Sequence, residues 1–99
     1  MTWRFTGPVW EWRGPAPHHF VSMPPDVSDE IAEDAGSLSY GWGAIPVHAR
    51  IGDTGFSTSI FPKDGVYIVP IKVAVRRAEG IELGDEVTVE VHLDRIKMQ

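Results

Sequence analysis

Four side chains of this 99-residue sequence are of a type and placement suited to chemistry: Trp42, Arg50, Lys72 and Arg76. Lys72 and Arg76 stand one helical turn apart, just after Pro70. An ammonium near a helix start and a guanidinium on the next turn suit a phosphate or a carboxylate. Arg50 would add a second planar fork of donors. Trp42 sits in Tyr40-Gly41-Trp42-Gly43, where glycines on both sides let the backbone approach a ligand while the indole lines its pocket. The chemistry implied is recognition of a small organic anion. Each residue also has a plainer reading: Lys72 and Arg76 as part of a solvated helix face on which Arg76 or Arg77 pairs with Glu79, Glu82 or an acid of the first helix, and Trp42 as a ring that closes one end of the fold.

Other chemistries find less support. The sequence has no cysteine, which removes disulfides, thiolate metal sites and a thiol nucleophile, and fits a reducing compartment. His18 and His19 are adjacent and would point to opposite faces of a strand, while His48 and His92 lie alone on polar faces, so no metal or other cofactor is expected. Ser57, Thr58 and Ser59 fall in a strand without a nucleophile-elbow motif, and no Gly-rich phosphate loop is present. A formal charge of −5 argues against nucleic acid as the partner. No apolar run approaches the roughly 20 residues that cross a bilayer, and no signal peptide is visible, so the expected location is the cytoplasm. A chain this short buries only a modest core, which makes association into a homodimer an expectation. These limits point to a non-catalytic binding or protein-interaction module.

The elements that must position these residues follow from periodicity. From Glu86 onward Val87, Val89, Val91 and Leu93 alternate with Glu86, Thr88, Glu90 and His92, the pattern of a strand with one buried face. Ile71, Ala74, Val75 and Ala78 have helical spacing after Pro70, and Gly80 followed by Ile81 reads as the helix stop. Gly84-Asp85 is a turn in which the carboxylate accepts backbone N–H groups. Earlier, residues 3–12 and 18–23 read as two extended segments forming a hairpin, the first interrupted at Gly7-Pro8. A helix follows, with Asp26 as its N-cap, Val27, Ile31 and Ala35 as its apolar stripe, and Gly36 as its end. Residues 44–51 form a half-buried strand that Pro46 places at an edge or a split, and residues 56–61 and 66–69 complete the set.

The order of elements is therefore ββαβ, repeated. Each half has a proline near its helix start and a glycine turn before its last strand, although residue identity between the halves is low. Chance agreement of generic turn and cap signals is the competing explanation.

Pro70, Lys72, Arg76, Gly80, Ile81, Gly84, Asp85 and Val87 resemble the swapped-hairpin motif of AbrB-like and MazE-like proteins. Over nearly its whole length the chain is similar to the bacterial domain of unknown function family 1905. The matching features are the aromatic start with Gly7-Pro8, Phe20-Val21 with Met23-Pro24, Gly41-Trp42-Gly43 with Val47, Thr58-Ser59, and the residues from Pro70 to Asp85. The resemblance implies a single domain, residues 1–99, that is mainly β: a pseudo-twofold six-stranded double-split barrel (ββαβ-ββαβ) with two short helices. It brings no established activity. Beside the binding-module reading stand two rivals, a DNA-binding regulator or antitoxin of AbrB-like type, and a small-molecule binding protein or enzyme with Trp42, Arg50, Lys72 and Arg76 around an organic anion at the barrel mouth.

Overall fold

Alternation decides which way each strand faces. In the last strand Val89, Val91 and Leu93 are buried while Thr88 and His92 are exposed, and in the first Trp3 and Phe5 are buried between exposed Thr2, Arg4 and Thr6. The computed structural model describes residues 2–13, 18–35 and 43–93. Its elements are β1 (Thr2–Pro8), β2 (Trp10–Trp12), β3 (His18–Ser22), α1 (Pro25–Ala35), β4 (Ile45–Ile51), β5 (Thr54–Lys63), β6 (Val66–Ile71), α2 (Val73–Glu79) and β7 (Glu86–Leu93). The strands form one curled antiparallel sheet in the order β1-β7-β4-β5-β6-β3-β2. Its buried side carries Trp3, Phe5, Val47, Ile60, Val69, Val89 and Val91, with Ile31 of α1 packed among them. Among the described residues no helix is long and apolar enough to cross a membrane.

Seven strands stand where six are expected, because the first divides at Val9. β1 pairs with β7 along its length, whereas β2 pairs with β3. The expected hairpin is thereby confined to Trp10–Trp12. Between the two pieces, Val9 N–H donates to Asp85 O and Gly84 N–H donates to Val9 O, both at 2.9 Å. The turn before β7 thus satisfies Val9. Strand β5 makes the same change of partner without a break, since Thr54 to Ile60 pair with β4 and Phe61 to Lys63 pair with β6. We call β1, β7, β4 and the first part of β5 the first half-sheet, and β2, β3, β6 and the end of β5 the second. Pro46 pairs with Ser59 of β5, one residue beyond the described β4–β7 ladder, which runs from Val47 to Ile51.

These pairings are unchanged when the front and back halves are exchanged. Matching residues 10–12 to 61–63 sets the switch points in register. The observed ladders then match 19–22 to 67–70 and 47–51 to 87–91, and the two helix starts coincide as well. Arg50 and Glu90 become a symmetric cross-strand pair, and His48 and His92, which the sequence pattern placed as equivalents, are direct partners instead.

Side-chain bonds tie the helices down in the same paired way. Trp3 Nε1 donates to Glu30 Oε1 of α1 at 3.0 Å, and Thr54 Oγ1, at the matching strand position, donates to Glu79 Oε2 of α2 at 2.6 Å. Gly52 has a φ of +59°, and a Cβ there would collide with Glu79 Oε1, so glycine leaves the room that Glu79 occupies. Buried Ser28 of α1 accepts the Tyr67 N–H at 3.0 Å. At the matching place Arg76 Nη1 of α2 lies 3.5 Å from His19 Nε2.

Two helix starts differ from the sequence reading. Ser28 N–H donates to Pro24 O at 3.0 Å, so α1 begins with Pro25 at its first position and Asp26 lies in the first turn, not at the cap. Proline's fixed φ and absent N–H suit that first position. Pro70 opens no helix, because β6 stays paired with β3 through Pro70 and Ile71, and α2 starts at Val73 with Lys72 as an extended N-cap. Ile71 is accordingly buried on the strand, while Ala74 and Ala78 are exposed and Val75 is the buried residue of α2. The far end matches expectation: Gly80 is left-handed (φ 63°, ψ 37°), Ile81 N–H donates to Arg76 O at 2.9 Å, and Asp85 Oδ2 accepts the Glu82 N–H at 2.9 Å. The expected stop at Gly36 lies outside the described residues.

Ser28→Ala removes the acceptor for a strand N–H, and unfolding in urea should show a loss of about 1–3 kcal/mol without a change in slope.

Candidate functional site

The outer face of the first half-sheet carries two cross-strand rows. Strand pairing aligns Thr2, His92, His48 and Ser57 in one row, and Arg4, Glu90, Arg50 and Gly55 in the next. Gly55 has no side chain beside Arg50, and the space left there is part of an open depression of about 590 Å³. Ser57 Oγ lies 3.0 Å from His48 Nδ1, which orients that ring, and the His48 and His92 rings stack with centroids 5.3 Å apart. Glu90 is bonded to the Arg4 guanidinium across the β1–β7 ladder. That hydrogen bond and the Arg4 charge hold the Glu90 carboxyl below its ordinary range against an opposing effect of burial, with Arg50 making the smallest contribution to the lowering. Arg50 makes no hydrogen bond or ion pair among the described residues. The arrangement offers N–H and O–H donors around one uncommitted guanidinium.

The outer face of the second half-sheet is apolar by contrast. Trp10, Trp12, Phe20 and Phe61 form one ring cluster: Phe20 lies 5.3 Å from Trp10, 5.9 Å from Trp12 and 6.5 Å from Phe61, centroid to centroid. Phe20 and Ile68 are buried there, outside the main core. Trp12 and Phe61 remain 45% and 38% exposed. Trp10 Nε1 donates to Ser22 Oγ at 2.9 Å, which satisfies its polar atom. Lys63 Nζ sits 4.7 Å above the Trp12 ring and 3.2 Å from Asp64 Oδ2.

Comparison with known proteins matches residues 5–91 to the Domain of unknown function (DUF1905). The chain belongs to the DUF1905 family. The family description names no activity, and a search of curated proteins finds no match.

Of the four residues singled out in the sequence, Arg50 lines the polar depression. Trp42 lies outside the described residues. Lys72 is exposed at the N-cap of α2 and is not among the residues lining that depression. Arg76 is half-buried; its Nε lies 3.4 Å from Ile71 O and its Nη1 reaches His19, so it braces α2 against the sheet. His19 Nδ1, on the far side of that ring, is buried with no partner among the described residues. The sequence reading placed His48, His92 and Glu90 on polar faces but did not join them to Arg4 or Ser57, and it did not assemble the four-ring cluster. Alternation signalled the facing of each residue, while the strand neighbours that bring them together are far apart in sequence.

Arg4→Ala should raise the Glu90 carboxyl toward the ordinary carboxylate range in an NMR pH titration, and Arg50→Ala should raise it less. Because the folded-state value is lowered, the Arg4–Glu90 pair stabilises the protein above the unfolded carboxylate range, and that contribution disappears as pH falls through the folded value. Arg76→Ala should cost about 1 kcal/mol in urea unfolding, as expected of a brace.

Proposed function

We propose that this DUF1905 chain is a non-catalytic protein-interaction module that docks a partner on the aromatic outer face of its second half-sheet. The observation that carries this reading is the exposure of Trp12 and Phe61 over a buried Phe20, a cluster separate from the main core. Each Å² of apolar surface withdrawn from water contributes about 25 cal/mol, and large aromatic side chains dominate interface energetics. The rim is close to neutral, since Lys63 is paired with Asp64 and Arg13 Nε lies 3.8 Å from Glu11 Oε1. An uncharged apolar segment suits such a surface better than a phosphate backbone does, and the net charge of −5 opposes the DNA-binding alternative.

In this reading the curled sheet is a pseudo-twofold six-stranded double-split barrel, with β1 and β2 counted as one strand, similar to the fold of AbrB-like and MazE-like proteins. Its support is the invariance of the pairing scheme on exchange of halves, and the covalent link through Val9 between strands at opposite ends of the sheet order. The protein acts in the cytoplasm, where a cysteine-free chain loses nothing.

The test is selection of binding peptides from a random library on the wild-type chain, followed by affinity measurement on the Trp12→Ser/Phe61→Ser double variant. Both side chains lie at the surface outside the main core, and an unchanged urea unfolding curve checks that the variant keeps its fold. Selected peptides should lose at least about tenfold in affinity. Sedimentation of the chain alone asks whether a second copy is the partner, in which case the double variant abolishes concentration-dependent association. Binders with equal affinity for both proteins would reject the aromatic face as the docking surface.

A further inference from the structure

We propose that the polar depression on the first half-sheet is a second site, independent of the aromatic face, that binds a small oxyanion through Arg50. Electrostatic matching at this place begins with Glu90. Its carboxylate stands directly across from Arg50 on β7, yet it is bonded to Arg4 on β1. The Arg4–Glu90 pair is neutral, and Arg50 is left with no hydrogen bond or ion pair among the described residues. A chain carrying a formal charge of −5 therefore presents in this depression a guanidinium that no carboxylate bonds, with Glu90 beside it already engaged by Arg4.

Space and donors complete the site. Gly55 is the cross-strand partner of Arg50 on β5, and the absence of a side chain there leaves the guanidinium accessible from the depression. One row away, His92 and Ser57 flank the centre, with the His48 ring between them stacked on His92 and contacted by Ser57. The Arg50 fork binds two oxygens of one carboxylate or phosphate; the His92 imidazole lines the same depression, and the Ser57 hydroxyl is free to donate to a remaining acceptor in the tautomer in which His48 Nδ1–H donates to Ser57 Oγ. The volume, about 590 Å³, falls in the range that holds small molecules. An extended polyanion would be repelled by the acidic remainder of the chain, so the ligand class is a small organic acid or phosphate ester. The shared recognition element is the oxyanion group.

This assignment differs from the site suggested by sequence spacing, which centred on Lys72 and Arg76. Arg76 is engaged with Ile71 O and His19, and Lys72 caps a seven-residue helix.

The test is an NMR titration of the whole chain with malonate and, separately, with inorganic phosphate, using sodium chloride at matched ionic strength as the control for screening. Saturable shifts of the Arg50 Nε–H and the His92 ring signals are expected with at least one oxyanion and not with chloride. The better of the two tells whether the natural head group is a carboxylate or a phosphate. Arg50→Gln should weaken binding at least about tenfold, the loss expected for charge-assisted hydrogen bonds. His92→Gln should weaken it less, and Lys72→Ala should leave it unchanged. Trp12→Ser/Phe61→Ser should also bind as the wild type does, which separates failure of this site from failure of the aromatic face. Absence of saturable shifts up to tens of millimolar, wild-type affinity in both Arg50→Gln and His92→Gln, or loss on Lys72→Ala would overturn the assignment.

Discussion

One strand that serves two half-sheets is the constraint on which the rest of this protein depends. Residues 2–12 run along β7 until Val9, whose backbone is held by Asp85 and Gly84, and then along β3. Residues 54–63 repeat the manoeuvre between β4 and β6. A backbone group that leaves one ladder must find another partner or lose the hydrogen bond it had. Here the turn before β7 supplies partners to Val9, so the departure leaves no orphan at the switch. With both switches in place the sheet curls around a single core, and each helix is set against it by a glutamate that accepts from the start of a switching strand.

The matching of the strand pairings on exchange of halves brings helix residues that look unrelated in sequence to corresponding places. Ser28 and Arg76 differ in size and charge, yet each reaches from its helix to the matching strand, at Tyr67 and His19. A short buried hydroxyl and a long half-buried guanidinium do the same mechanical task because α1 and α2 differ in length and in how deeply they are covered. This is why a cation with the spacing of a ligand site is engaged in structure, whereas an isolated-looking Arg50 is the one with donors to spare.

Curling also gives the molecule two outer faces of opposite chemistry. On the first half-sheet the outward positions of four strands carry Thr, His, Arg, Glu and Ser, and their charges are arranged across strands from different parts of the chain. On the second, outward positions carry Trp10, Trp12, Phe20 and Phe61. The neutral rim around those rings underlies the proposal of an apolar partner, and Arg50, bonded to no carboxylate, underlies that of a small oxyanion. A chain of 99 residues can carry two such faces because a curled sheet exposes the back of its strands.

Sequence alone determined the strand faces, both helices, the left-handed stop at Gly80 and the acceptor role of Asp85, since each follows from periodicity or from conformational preferences confined to a few neighbouring residues. It also pointed to the internal repeat and to the family. It misplaced the openings of the helices at Asp26 and Pro70, where a proline suits a first turn and an extended segment alike, and pairing with β3 decided for the strand at Pro70. Tertiary structure decided the rest. Which residues meet across a ladder depends on register between segments far apart in sequence, as in Arg4 with Glu90, 86 positions away, and no local preference carries that information. The depression around Arg50, the engagement of Arg76 and the ring cluster on Phe20 all arise from such pairings, so they became visible only once the strands were brought side by side.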